Sequence, residues 1–322
     1  MLKMYQSGGH DGGEPELWEA NWETSDFERS LSFCQVDPLF PLFEKYALPG
    51  VTMLEGGCGV GQYVAFHASR GVNIIGLDFA SKTIRRLKAQ IPGLKLCVGD
   101  VASLPFCDCT FDLYYSGGVV EHFEEGPERA VMEARRVLKP GGTLLISVPY
   151  LSLLRRLLLT SKSRSWKKVS KASIDSEWNG MRFFQYVYSR KEFEAILARA
   201  GLRVIGTQGY GILWGLYDVA RLQTLITKLS GGQNSSVPEP SRVNSRTSGT
   251  GTRCEDVSSA STRSVPSESY VRAIIKRIVV SEDDRFPVAG LGVKLMRLVC
   301  ANMMMYVCVR AQTIVKRNFE DE

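Results

Sequence analysis

The stretch Leu54-Glu55-Gly56-Gly57-Cys58-Gly59-Val60-Gly61 constrains this chain more than any other. An apolar run at 51–54 leads into it and an amphipathic run at 62–70 leaves it, so a strand enters a glycine-rich turn and a helix departs. Glycines at 57, 59 and 61 let the backbone turn sharply and let a ligand approach the main chain. The free N–H groups of the helix that follows, at the positive end of its dipole, suit a carboxylate or a phosphate.

The pattern around this loop repeats. Apolar runs at 72–77, 94–98, 111–115 and 143–148 predict strands; amphipathic runs at 81–90 and 126–138 predict helices. Ser81 reads as the N-cap of its helix, and Lys139-Pro140-Gly141-Gly142 ends the one before the 143–148 strand. Strands alternating with helices give an α/β fold with a parallel sheet and helices on both faces. Strands that are apolar without clean alternation fit burial on both sides. The rhythm breaks at 151–180 and returns with a helix at 189–200, Gly201 behind it, and a strand at 202–207. A helix at 288–301 leads into a last strand at 303–310.

Two ligand classes fit the loop. A dinucleotide needs a third glycine where Gln62 stands, and no second nucleotide-binding half follows. Asp78, at the end of the second strand, suits the ribose of either class. Glu55 separates them: a carboxylate there repels a pyrophosphate but suits an ammonium group, and S-adenosylmethionine carries an ammonium and no phosphate.

The residues from 51 to 150 resemble the class I S-adenosylmethionine-dependent methyltransferases with a small-molecule-type methyltransferase domain. The matching pieces are LEGGCGVG (54–61), GLDFA (76–80), GDVASLPF (99–106), FDLYYSGGVVEHF (111–123) and RVLKPGGTLLISVP (136–149), with a weaker likeness through 183–204. The resemblance implies a Rossmann-like, seven-stranded, mostly parallel sheet, with 303–310 as an antiparallel strand beside 202–207. It implies S-adenosyl-L-methionine as cofactor. Glu55 and the loop of Gly57, Cys58, Gly59 and Gly61 would hold its aminoacid end, and Asp78 its ribose hydroxyls. Phe79 would lie beside the adenine, Asp100 would accept the adenine amino group, and the Val101 main chain would read the ring edge. Ser116 and Gly117 would line the path to the acceptor. His122, after Glu121, reads either as a general base or as a packing residue; His67 and His10 read as neither.

On this basis 1–50 is a helical cap, 51–150 the cofactor-binding core, 151–188 a basic substrate lid, and 189–230 with 268–312 the rest of the fold. Residues 231–267, dominated by Ser, Thr, Gly and Pro with no aromatic residue, read as a disordered loop. Trp18 and Trp22 share a helical face and serve either to fix the cap to the core or to cover a ligand. The stretch 151–171 carries Arg155, Arg156, Lys162, Arg164, Lys167, Lys168 and Lys171 and no acid, against Leu151, Leu154, Leu158 and Leu159. It reads as a lid or as a peripheral contact with an anionic membrane.

Charge narrows the partners. Forty Lys and Arg against 34 Asp and Glu give +6, too even for a dedicated nucleic-acid binder. No Asn/Asp-Pro-Pro-aromatic tetrapeptide follows the fourth strand. The expected acceptor is therefore a small or lipid-like molecule, with an inactive cofactor-binding subunit or a nucleic-acid or protein methyltransferase as alternatives. The eight cysteines lack paired C-x-x-C spacing, so no metal is expected. The first sixteen residues lack an apolar signal segment, so the expected setting is cytoplasmic.

Overall fold

The computed structural model describes residues 1–7, 11–160, 181–217, 282, 284 and 287–311. Its main element is a seven-stranded sheet. In chain order after β1 (Leu2–Ser7) the strands are β2 (Thr52–Gly56), β3 (Asn73–Asp78), β4 (Leu96–Val98), β5 (Phe111–Gly117) and β6 (Leu138–Pro149). β7 (Met181–Val187), β8 (Leu202–Tyr210) and β9 (Met303–Arg310) follow. The sheet order is β4-β3-β2-β5-β6-β9-β8. β2 through β6 run parallel, and β9 lies antiparallel between β6 and β8. The expected final antiparallel strand is thus in place, with the bounds read from the sequence.

Each inner strand sends alternate residues to two separate cores, as the pleat requires. Leu54, Tyr114, Ile146 and Tyr306 belong to one core, and Met53, Leu113, Leu145 and Met305 to the other. Both faces are covered, which is why these strands read as continuous apolar runs. On the first face lie α6 (Glu128–Val137) and α8 (Arg190–Arg199); on the second lie α3 (Phe40–Tyr46), α4 (Gln62–Ala68) and α5 (Ser81–Gln90). α8 ends as expected, with Gly201 behind it at φ +76°, and it opens on a capping box the sequence reading had not named, in which Ser189 and Glu192 bond reciprocally.

Four local readings change. Ser81 is the first residue of α5 rather than its cap; Ala80 holds the cap position without a side-chain bond. The first-turn Lys82 N–H donates instead to Glu19 of the N-terminal segment at 3.0 Å, while Asp78 accepts the Ala80 N–H at 2.9 Å and Ser81 Oγ accepts from Arg85. The Lys139–Gly142 turn lies inside the twelve-residue β6. The 1–50 cap begins with a strand, β1, paired antiparallel with β7 in a small second sheet, before α1 (Pro15–Glu23) and α2 (Phe27–Phe33). The expected lid is a helix, α7 (Leu153–Thr160), at its start and strand β7 at its end.

Arg155, counted among the lid's cations, is 4% exposed. Its guanidinium donates to the carbonyls of Tyr150 and Asn302, both at 3.0 Å, and to the Asn302 side chain. It fastens α7 to the ends of β6 and β9 and is not a membrane-facing charge. Lys162, Arg164, Lys167, Lys168 and Lys171, the 231–267 loop and His10 lie outside the described residues. Among the described residues no helix is long and apolar enough to cross a membrane, and no cluster of metal-ligating side chains occurs.

Candidate active site

The chain order reverses between β2 and β5, and a crevice opens where their carboxyl ends diverge, as it must in an open parallel sheet. The glycine loop forms its floor. Gly57, Gly59 and Gly61 all have positive φ, at +76°, +51° and +71°. At Gly57 a Cβ would also meet Val119 at 2.3 Å. Gly57 and Cys58 N–H both donate to the Leu77 carbonyl, at 2.7 and 3.0 Å, which fixes the loop against β3.

Asp78, 5% exposed, ends β3 under this loop. One carboxylate oxygen accepts the Gly59 N–H at 2.8 Å and the other accepts from Ala80. A carboxylate has about four acceptor positions, so each oxygen retains capacity toward the cavity it helps to line. Glu55, 3% exposed at the end of β2, lines the same cavity, and its Oε2 has no hydrogen-bond partner. Burial, and then the Asp78 charge, push the Glu55 carboxyl well above the ordinary carboxylate range. Burial also raises Asp78, opposed by its N–H donors.

A ligand that brings an ammonium to Glu55 favours the ionised carboxylate, so its binding should release protons wherever the raised carboxyl of the free protein is still protonated, and should weaken as pH falls. Calorimetry in two buffers of different ionisation enthalpy measures that release. Glu55→Gln should remove it, and unchanged proton release in that variant would clear Glu55 of the role.

The loop after β4 closes another side. Asp100 accepts the Ala102 N–H at 2.8 Å, a local turn that leaves the rest of its carboxylate in the cavity wall beside Val101. Arg136 on α6 holds this loop through the carbonyls of Leu104 and Phe106, at 3.0 and 2.8 Å, and Glu133 accepts the Leu104 N–H at 2.8 Å.

The roof comes from the N-terminal segment. Trp18 and Trp22 stack at 5.7 Å on α1, a helix with no buried residue, and both line the cavity. Of the two readings of this pair, the geometry supports the cover. Gly12 is clamped to β7 by its N–H on the Phe183 carbonyl at 2.9 Å, and any Cβ there would strike the Phe184 carbonyl. Trp18 Nε1 donates to the Gly12 carbonyl at 2.8 Å. α1 is tied to α5 by the Glu19–Lys82 ion pair at 2.9 Å and by Arg86 on the Trp22 carbonyl.

His122 packs edge-on against Trp18 and Phe184, with centroids 4.8 and 5.0 Å away. Its Nδ1 lies 2.7 Å from the Phe184 carbonyl. A carbonyl only accepts, so Nδ1 carries the proton and Nε2 the lone pair. Burial lowers this imidazole to about 4, so it is neutral near pH 7.

Of the residues expected in the site, Glu55, Gly57, Cys58, Gly59, Asp78, Phe79, Asp100, Val101, Gly117 and His122 line one cavity. Gly61 and Ser116 do not: Gly61 caps α4, and Ser116 is buried in β5 with an unpartnered hydroxyl. The sequence reading missed Tyr63, Tyr115 and Val119 as lining residues. Gly12 and Gly13 were missed too, although a glycine doublet ahead of the tryptophans was a usable signal.

Comparison with known proteins places this geometry. Residues 54–146 match the methyltransferase domain family. A protein of Encephalitozoon cuniculi named as a methyltransferase is 30% identical over 164 residues, covering 50% of this chain and 70% of its own length. One of Mycolicibacterium smegmatis, named as an S-adenosylmethionine-dependent methyltransferase, is 35% identical over 100 residues, 31% of this chain and 38% of its own. One of Mus musculus, named as tRNA methyltransferase 9B, is 36% identical over 102 residues, 31% of this chain and 22% of its own. The chain therefore spans well under two thirds of the length of the last two.

Proposed function

The chain belongs to the class I S-adenosylmethionine-dependent methyltransferases, and we propose that it catalyses methyl transfer from S-adenosylmethionine to a small or lipid-like acceptor by in-line displacement. The observation that carries the reading is the pair of buried carboxylates at the strand ends. Asp78 is pre-set by two main-chain donors, and Glu55 is buried in the same cavity with an unpartnered oxygen. An ammonium answers Glu55 and a ribose diol answers Asp78, so the residues present fit this cofactor. When bound, it supplies an already activated sulfonium methyl.

The protein's own work is alignment. Glu55 and the 57–59 turn hold the aminoacid end, while Phe79, Asp100 and Val101 flank the adenine. Trp18 and Trp22 exclude water from above. His122, neutral and committed through Nδ1, orients the wall beside Gly12. In this reading it positions and does not serve as the main base, because a base works best with its pKa near the working pH.

A nucleic-acid acceptor is the second reading, suggested by the name of the mouse relative. Against it, no Lys or Arg is among the described residues that line the cavity, whereas phosphate backbones are met by cations. Calorimetric titration with S-adenosylmethionine and, separately, with NADH tests the cofactor assignment. Binding of NADH alone would overturn it. Incubation with methyl-labelled cofactor and a cell extract then tests turnover. Binding without any labelled product would favour the inactive subunit, and label in RNA would favour the second reading.

A further inference from the structure

A second cavity, of about 630 Å³, adjoins the first. The two share Gln62 and Tyr63 as walls. They also approach each other across Gly118, which lines the first, and Met303, which lines the second: the Met303 methyl lies 3.6 Å from where a Gly118 Cβ would stand. This volume suits a small organic molecule. Resting on the proposed methyl transfer, we propose that this second cavity is the acceptor site and that it takes an organic amine.

Three observations select that chemistry. The first is charge. Asp37 and Glu282 are the ionisable acids of the wall, and no Lys or Arg is among its described residues. Glu282 is already neutralised by Arg297 at 3.1 Å. Asp37 is not: it accepts the Tyr63 hydroxyl at 2.5 Å and the Leu39 N–H at 2.6 Å, and among the described residues it meets no cation. The second is the aromatic surface. Tyr63, Tyr210, Phe33 and Trp214 line the cavity, the last two 48% and 45% exposed at its mouth. Aromatic faces attract organic cations and accept their carbon skeletons.

The third is Glu121, which lines neither cavity but packs behind Gly118, where the two approach each other. It is 2% exposed, its Oε2 has no partner, and its Oε1 is 3.4 Å from the position of a Gly118 Cβ. Burial raises its carboxyl to about 8. A buried carboxyl without a partner is costly, and an approaching ammonium would relieve that cost. An anionic acceptor would meet Asp37 with no cation among the described lining residues to offset it.

The amine is captured as its cation and loses one proton to water through the open groove. The freed nitrogen lone pair then forms the N–C bond to the sulfonium methyl as the C–S electron pair returns to sulfur. A neutral thioether and a methylated ammonium result, and charge is conserved.

Calorimetry on the full chain loaded with S-adenosylhomocysteine tests this. The probes are skeleton-matched sets of amine, alcohol and carboxylate, among them phenethylamine, 2-phenylethanol and 3-phenylpropionate. Within sets that bind, the amine should be favoured at least tenfold over the alcohol and more over the carboxylate. Asp37→Asn and Glu121→Gln should each shrink the amine-to-alcohol ratio several-fold while leaving S-adenosylhomocysteine affinity unchanged, a ratio that mere loss of packing would not move. Alcohols or carboxylates binding as well as amines, an unmoved ratio in both variants, or no amine bound at all would overturn the proposal. Failure of S-adenosylhomocysteine itself to bind would instead strike the cofactor assignment.

Discussion

Asp78→Ala weakens S-adenosylmethionine binding by about 1.5–3 kcal/mol, roughly ten- to 150-fold, if its carboxylate holds the ribose. The loss has two sources. Charge-assisted bonds to two hydroxyls disappear, and the Gly59 N–H, which Asp78 holds at 2.8 Å, is released at the tip of the glycine loop. Asp78→Asn should be no milder. The amide cannot accept on both sides, so its NH₂ would face either the Gly59 or the Ala80 N–H, donor against donor. Folding should suffer less than binding, because the substitution also removes a buried charge that bears on Glu55. Titration calorimetry and thermal melts separate the two effects. An affinity equal to wild type in the alanine variant would remove Asp78 from the site.

The second large effect falls outside the cavity. Arg155→Ala should destabilise the protein by about 2–4 kcal/mol, because it removes charge-assisted bonds to two carbonyls and one side-chain amide, and the carbonyls keep only their main-chain donors, Ser152 and Tyr150. Denaturant melts measure this. Arg156→Ala, one residue on and exposed, should stay within about 0.5 kcal/mol. The pair separates architecture from surface charge. If 151–171 meets anionic vesicles, neutralising Arg156, Lys167 and Lys168 should abolish co-sedimentation and raised salt should mimic it. Arg155 is unsuitable for that experiment, since its loss loosens α7. A stable Arg155→Ala protein would contradict the fastening role.

The parts legible in the sequence were those set by local chemistry. Glycines needing positive φ, apolar runs buried on both faces, and Gly201 behind the 189–200 helix each carry their reason within a few residues. The 303–310 strand was readable because its apolar run is bounded on both sides. What escaped depends on partners far along the chain. Leu2–Ser7 is a strand because Met181–Val187 lies beside it, and nothing in six mixed residues announces that. Ser81 yielded its capping role to Glu19 of α1, far earlier in the chain, which accepts the Lys82 N–H. The charge of Arg155 pointed to solvent, whereas three oxygens of Tyr150 and Asn302 took it inward. Trp18 and Trp22 could be paired from spacing alone, but only the Gly12–Phe183 clamp shows what they cover.

The position of β9 sets the order in which this molecule can be finished. β6 and β8 each pair with β9 and not with one another, so the sheet has a missing middle until residues 303–310 arrive. During synthesis at ~5–20 residues per second, the β6 edge waits through more than 150 residues with its backbone groups unpaired. Such an apolar edge recruits other strands. The late, sequence-distant pairing also raises the contact order, which slows folding. A chain truncated before Met303 should therefore be caught by chaperones or aggregate even though every residue of the glycine loop, Asp78 and the tryptophan roof has already been made.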